Sequence, residues 1–219
     1  EITKLMEECK ALKIATLGPD VNESQIGFGV NKHGEIRFGL SAIKGMGASA
    51  AESIVHEREK NGPYKDIYDF AERVDFSNVN RKAFESLAYS GGFDSFGLQR
   101  EQYFAITGKG DSFLDTIVRY GQLFQTEKAQ QQNSLFAGMD AIDVVHPVAP
   151  KAEKWPVIEK LNKERELVGI YLSAHPLDEY SVVLNNMCNT HCSKIGRNAD
   201  MTQLAKADEV TFGGIVTSV

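Results

Sequence analysis

The chain has 219 residues, enough for one medium-sized domain or two small ones with their own cores. No apolar run approaches the roughly 20 residues that a membrane-spanning helix needs, so we expect no membrane partner. The three cysteines, Cys9, Cys188 and Cys192, are too few for a disulfide framework and indicate a reducing, cytoplasmic environment. The net charge of −6 argues against a broad basic surface for nucleic acid, so any binding of phosphates has to be local.

The N-terminal part of the chain predicts one helix followed by two strands. Apolar residues over positions 2–15 have helical spacing, and Gly18-Pro19 would end that helix. Residues 25–30 and 35–40 alternate in the manner of strands, and the segment 31–34 between them has the composition of a turn. We therefore predict a small β-hairpin before residue 40.

Helical spacing continues from residue 40 to about residue 130, with short breaks that contain glycine or polar residues. Two helix starts have the pattern of a capping box, in which an acidic residue follows serine at the third position. These pairs are Ser49 with Glu52, and Ser112 with Asp115. The fold class that we predict is mainly α with a small β-hairpin.

The strongest local pattern lies in residues 40–54, where Gly45 and Gly47 flank Met46 between two helical segments. This is the spacing of a helix-hairpin-helix, in which glycines permit a tight turn with positive φ and let a phosphate approach the backbone. The free N–H groups at the start of the next helix would face that phosphate, and Met46 would fill the core. The candidate DNA-backbone-binding residues are Lys44, Gly45, Met46, Gly47, Ala48 and Ser49. Such a site contacts phosphates and reads no sequence.

The same spacing also fits a simple tight turn in a helical hairpin that binds nothing. A nucleotide-binding loop fits poorly, because the chain has no Gly-x-x-x-x-Gly-Lys-Ser/Thr pattern. A second glycine-containing turn at Gly91 and Gly92 could be a degenerate partner hairpin that also contacts the DNA backbone. An ordinary helix C-cap at Gly91 is at least as compatible with that spacing.

Beyond the helical region the composition changes twice. Residues 129–154 are polar, with Pro147 and Pro150, and predict an exposed linker. Residues 155–207 predict a helical connector, and the run 208–219 resembles a β-strand.

A compact group of potential metal ligands, Cys188, His191 and Cys192, lies near the C-terminus, and His175 is a possible fourth ligand. Structural zinc sites usually have two separated pairs of ligands, so ordinary thiols are the better interpretation. The histidines show no nucleophile–base arrangement, and no paired carboxylates suggest a catalytic metal site. We therefore expect neither a metal site nor catalytic residues, and the question of metal at these three residues stays open.

Several motifs in the same order closely resemble bacterial DNA polymerase III alpha subunits, the C-family replicative polymerases. The segments that carry the resemblance are residues 8–10, 19–24, 36–47, 62–64, 69–70, 73–74, 80–87, 91–94, 169–177 and 210–219. The resemblance covers nearly the whole chain, and several independent motifs in register make it specific.

The resemblance implies a modular piece of a longer polymerase. Its implied parts are the end of the fingers domain with the β-hairpin (1–39), a tandem helix-hairpin-helix DNA-binding domain (40–128), a linker (129–154), a helical connector (155–207) and the first strand of an OB-fold (208–219). It also implies binding to double-stranded DNA, to a sliding clamp and to other replisome subunits. The Mg²⁺ and the catalytic palm belong to the parent polymerase, so this segment should be inactive alone.

Residues 132–136 resemble the pentapeptide by which bacterial polymerases hold their sliding clamp. Leu135 and Phe136 would fill an apolar pocket, and Gln132 would form a hydrogen bond at its rim, with Ser134 between them. The alternative is that Leu135 and Phe136 fold back onto nearby helices. Two alternative functions remain compatible with the sequence. The chain could be a stand-alone helix-hairpin-helix DNA-binding module, or a protein-interaction scaffold that has lost DNA affinity. Because the chain lacks an initiator Met and stops within a strand-like run, we expect a piece of a larger protein.

Overall fold

The fold is described from a computed structural model of the chain. It describes residues 5, 8, 9, 12–108, 110–133, 144–190 and 209–216, with only the backbone for 132 and 133. Contacts divide the chain into two units, Glu1–Ser173 and Ala174–Val219. None of the helices in the described segments is long and apolar enough to cross a bilayer.

A three-stranded sheet forms the start of the first unit, with strands β1 (Thr16–Leu17), β2 (Gly29–Val30) and β3 (Ile36–Arg37) in the order β1-β3-β2. Strands β2 and β3 pair antiparallel, which confirms the predicted hairpin, and β1 pairs parallel to β3. The prediction of helix up to residue 15 was wrong at its end, because residues 12–15 are not helical. The sheet recruits this segment instead, since the amide of Ile36 donates to the Ala15 carbonyl at 2.9 Å.

In the described part of this unit six helices follow, and they confirm a mainly α fold. They are α1 (Ala48–Asn61), α2 (Ile67–Arg73), α3 (Arg81–Ser90), α4 (Arg100–Phe104), α5 (Phe113–Asn133) and α6 (Val157–Val168).

The helix starts agree with the predicted capping boxes in one case of two. The side chain of Ser112 accepts a hydrogen bond from the Asp115 amide at 3.1 Å, as predicted for the start of α5. The Ser49 box is wrong, because Gly47 is the N-cap of α1 and provides no side-chain acceptor. Ser49 lies inside the first turn instead, with its side chain exposed.

Aromatic residues from successive helices form the core of the first unit. The ring of Phe70 on α2 lies edge-on to Tyr64, Phe84 and Phe93, with centroids 4.9, 5.2 and 5.0 Å away. Edge-to-face pairs at such distances add to the stabilisation from apolar burial. The core therefore joins α2 to α3 and to the turn after α3.

Helix α5 packs along α2 and extends further than the sequence indicates. It runs to Asn133, so the predicted linker that begins at residue 129 starts inside a helix. Residues 127–130, three of which are polar, are exposed on this helix, because its last turns leave the core. The segment 144–150 returns to the same unit, where the Pro147 carbonyl accepts a hydrogen bond from Tyr68 at 2.5 Å.

Helix α6 belongs to the first unit, which divides the predicted connector 155–207 between the two units at residues 173 and 174. A buried ion pair explains this attachment. Arg100 on α4 donates to Glu164 on α6 at 3.1 Å, and the two side chains are 5% and 1% exposed. The other carboxylate oxygen of Glu164 accepts the amides of Leu172 and Ser173 at 2.6 and 2.8 Å.

The second unit contains a short helix, α7 (Ser181–Met187), and the described segment 209–216. We predicted a strand in that segment, but the structure assigns none there. A strand needs a ladder of backbone partners. In this segment the Thr211 carbonyl accepts the amides of both Asn189 and Thr190, and the Glu209 carbonyl accepts from the Asn189 side chain, an arrangement that is not the ladder of a strand.

Candidate nucleic-acid interface

The turn that precedes α1 has the geometry that the glycine spacing predicts. Gly45 has a φ of +89°, a conformation that favours glycine. A Cβ atom there would lie 2.7 Å from the Ser86 Oγ. The Met46 side chain is buried in the core, and its amide donates to the Ile43 carbonyl at 3.0 Å. Met46 therefore anchors the turn, and its amide is not available to a phosphate.

Two backbone hydrogen bonds of Lys44 fix this turn against two other helices. Its amide donates to the Leu167 carbonyl of α6 at 2.8 Å, and its carbonyl accepts from Ser86 of α3 at 3.0 Å. The side chain of Lys44 remains exposed. Helix α6 is thus part of the scaffold that positions the turn, a role that local sequence patterns do not indicate.

Helix α1 begins directly after the turn with an open N-terminus. Gly47, Ala48 and Ser49 are exposed, and Gly47 provides no side-chain cap. Because the first amides of a helix have no acceptor within the helix, those of Ala48 and Ser49 are available to an external acceptor. The positive end of the helix dipole lies at the same place. The turn and this N-terminus together form a site that can hold one phosphate group.

The second glycine-containing turn has the geometry of a helix C-cap. Gly91 ends α3 with a φ of +89°, and the amides of both Gly91 and Gly92 donate to the Leu87 carbonyl. Both glycines are buried, and a Cβ atom on Gly91 would lie 2.2 Å from the Arg100 side chain. The structure favours the C-cap interpretation, so we exclude Gly91 and Gly92 from the proposed DNA-binding surface.

An open groove of about 710 Å³ adjoins the first turn, between α3 and α6. It contains four cations and two carboxylates, a net charge of +2 in a chain with a net charge of −6. The charged lining residues are Lys44, Arg81, Lys82, Lys163, Glu85 and Glu166. Sequence reasoning missed all of these except Lys44, since three separate segments contribute them.

Not every cation near the motif is available to a ligand. Arg58, on α1, is buried and donates to the Val21 carbonyl at 2.8 Å, and burial lowers the pKa of its guanidinium. Arg81 is held by Asp115 at 2.5 Å and by Glu85 at 2.8 Å. The hydrogen bond from Arg81 is the main reason that the pKa of Asp115 lies below its usual value.

The other candidate sites fall partly outside the described residues. Gln132 lies in the last turn of α5, and Ser134, Leu135 and Phe136 are outside the described part of the chain. Cys188 is a free thiol, and His191 and Cys192 are likewise not described. No group of three potential metal ligands occurs among the residues that the structure describes.

Comparison with known proteins identifies the same helix-hairpin-helix motif and the protein family to which the chain belongs. Residues 13–103 match the family model of the helix-hairpin-helix motif. Three similar relatives have the name DNA polymerase III subunit alpha. The protein from Xylella fastidiosa (strain Temecula1) is 30% identical over 100% of this chain and 18% of its own length. That from Vibrio cholerae is 34% identical over 82% and 15%, and that from Chlamydia trachomatis is 38% identical over 81% and 14%.

The chain therefore spans less than a fifth of the length of these relatives. Within that span the similarity includes the Gly45 turn, helix α1 and the helices that support them. The chain belongs to the DNA polymerase III alpha subunit family and carries its helix-hairpin-helix motif.

Proposed function

We propose that this chain binds the backbone of double-stranded DNA without sequence preference, through the turn at Gly45 and the N-terminus of α1. The observation that carries the proposal is the exposed, uncapped helix start directly after a glycine turn. Backbone amides and the helix dipole bind an anion there without a basic surface, which suits a chain with a net charge of −6. Lys44, exposed at the turn, adds one cation.

The Lys44→Glu variant tests this proposal. We expect roughly a tenfold weaker affinity for a short duplex, or about 1.4 kcal/mol, because a carboxylate then faces the phosphate. Fluorescence anisotropy at low salt measures the affinity, with two duplexes of unrelated sequence that should bind equally. Lys60→Glu is the matched control, because Lys60 is exposed in the last turn of α1, about 20 Å from the site. Equal affinities for the Lys44→Glu and Lys60→Glu variants would contradict the hairpin site.

The whole protein, as in its named relatives, would be a DNA polymerase. Template-directed synthesis, with Mg²⁺ in a palm domain, would then belong to the full-length protein, and this segment would be inactive alone. The role of this chain would be to position the polymerase on duplex DNA within the replisome. The family membership and the helix-hairpin-helix motif support this assignment.

We also propose that residues 132–136 tether the polymerase to its sliding clamp. Helix α5 supports this proposal, because residues 126–130 are exposed just before the peptide, which begins in the last turn of the helix. The Leu135→Ala/Phe136→Ala double variant should lose binding to immobilised clamp. A suitable control is Val145→Ala/Val148→Ala, which removes two side chains that are 81% and 88% exposed. If the Leu135→Ala/Phe136→Ala variant still bound the clamp, the peptide would not be the tether.

A further inference from the structure

The groove between α3 and α6 has features of a phosphate-binding site that the hairpin alone does not explain. Lys82 is exposed in the first turn of α3 and extends over the hairpin, with its Cε 3.3 Å from the position of a Cβ on Gly45. The ion pairs of this groove among the described residues leave Lys44 and Lys82 without a carboxylate partner. Two cations with no counter-charge therefore lie at the junction of the turn and the groove.

A third cation, Lys163, approaches from the opposite wall of the groove. Its ammonium group lies 4.7 Å from the centre of the Tyr89 ring and 5.1 Å from that of Trp155. Cation–π contacts of this kind orient a lysine without neutralising its charge, so the ammonium group can still attract an anion. Its one ion pair, with Glu159, is 3.8 Å long and partly exposed, so it competes weakly with a ligand.

The carboxylates that face the groove do not cancel this charge. Glu85 is engaged with Arg81 at 2.8 Å. Glu166 on α6 is exposed and is the acidic residue that an incoming phosphate would meet. Lys82 lies on α3 and Lys163 lies on α6. The hairpin turn connects these two helices, because Lys44 forms hydrogen bonds with Ser86 on α3 and with Leu167 on α6.

We propose that the α3–α6 groove binds a second phosphate of the same DNA strand, next to the one at the Gly45 turn, through Lys82 and Lys163. The inference rests on the proposed function, because it extends the same DNA-binding surface. The groove, at about 710 Å³, is large enough for a phosphodiester and its neighbouring sugar. The chain thus contacts two consecutive phosphates of the DNA backbone, one beside Lys44 and one beside Lys82 and Lys163. Its net charge nevertheless remains negative.

The salt dependence of duplex binding tests this proposal. Each phosphate contact that is lost lowers the slope of log affinity against log salt by about 0.9. Because the two lysines share one phosphate, we expect the Lys82→Gln/Lys163→Gln double variant to reduce the slope by about that amount and each single variant to reduce it by part of it. Lys163→Arg should retain the slope. Lys60→Gln, at the far end of α1, is the matched control and should leave the slope unchanged. Circular dichroism of each variant reports whether the helices remain folded.

The Glu166→Gln variant tests the proposal in the opposite direction, because removal of the competing carboxylate should strengthen duplex binding several-fold. The groove proposal would be overturned if Lys82→Gln, Lys163→Gln and Glu166→Gln all left the salt slope and the duplex affinity unchanged. If Lys44→Glu still weakened binding in that case, the hairpin proposal would remain intact. If Lys44→Glu also bound normally, the proposed function itself would fail.

A second experiment distinguishes DNA from a free phosphate anion as the ligand of the groove. Duplex affinity is compared in chloride and in inorganic phosphate at equal ionic strength. Equal affinities in the two buffers support a DNA phosphodiester as the ligand. If inorganic phosphate bound to the wild-type chain but not to Lys163→Gln, while the two chains bound the duplex equally, the groove would be a site for free phosphate, and the assignment to DNA would be overturned.

Discussion

Replacement of Glu164 with alanine is expected to lower the free energy of unfolding by about 3 to 5 kcal/mol. The carboxylate is 1% exposed and accepts hydrogen bonds from Arg100 and from the amides of Leu172 and Ser173. Its removal leaves the buried Arg100 guanidinium with Asp94, at 2.6 Å, as its carboxylate partner, and it leaves two backbone amides without their acceptor. The loss of the acceptor that holds a buried hydrogen-bond and ion-pair network is among the causes of large destabilisation by a single substitution.

Urea denaturation of the two variants Glu164→Ala and Glu166→Ala measures this effect. Glu166 lies on the same helix but is exposed, so its replacement should change the stability by no more than about 0.5 kcal/mol. A loss in Glu164→Ala that is no larger than in the control would show that α6 is not fixed through this ion pair. The position of Lys44 against Leu167 would then need another explanation.

Gly121→Ala is the second substitution for which we expect a large effect, a destabilisation of about 1 to 3 kcal/mol. In isolation, alanine favours a helix over glycine by about 1 kcal/mol. In α5, however, a Cβ atom at this position would lie 2.4 Å from the Ala71 carbonyl oxygen and 2.8 Å from the ring of Phe76. Helices α2 and α5 would have to separate, which would disturb the aromatic core on α2.

Thermal unfolding of Gly121→Ala beside Ala129→Gly distinguishes packing from propensity. Ala129 is exposed near the end of the same helix, where glycine should cost about 1 kcal/mol through propensity alone. We expect alanine to be the worse residue at 121 and the better residue at 129. If alanine stabilised both positions, the close approach of α2 and α5 would be incorrect.

Local patterns in the sequence predict those parts of the fold that local physics determines. The hairpin near Gly34 and the turn at Gly45 follow from glycines that adopt positive φ, and both are observed. The same reasoning could not decide the role of Gly91, whose φ equals that of Gly45. Burial against the side chain of Arg100 distinguishes the two turns, and that contact depends on the folded chain.

The groove and the packing of helix α6 against the hairpin were beyond sequence reasoning for the same reason, although the helix itself was predicted within the connector 155–207. Arg100 and Glu164 are 64 positions apart, and the pattern around either residue reads as an ordinary charged helix. Lys82 and Lys163 likewise come together only because α3 packs on α6. Of the strand predicted at 208–219, the described part 209–216 is not assigned as a strand, since alternation indicates a strand only where backbone partners exist.

The most direct test of the central claim is a titration of the isotopically labelled chain with a short DNA duplex, followed through its backbone amide resonances. The hairpin site predicts large shifts for Ala48 and Ser49, whose amides would face the phosphate, and for the adjacent N-cap residue Gly47. Gly91 and Gly92 are internal controls and should not shift, because their amides are buried and bonded to Leu87. Equal shifts at both turns, or unchanged amides at 47–49 when the duplex is saturating, would contradict the account.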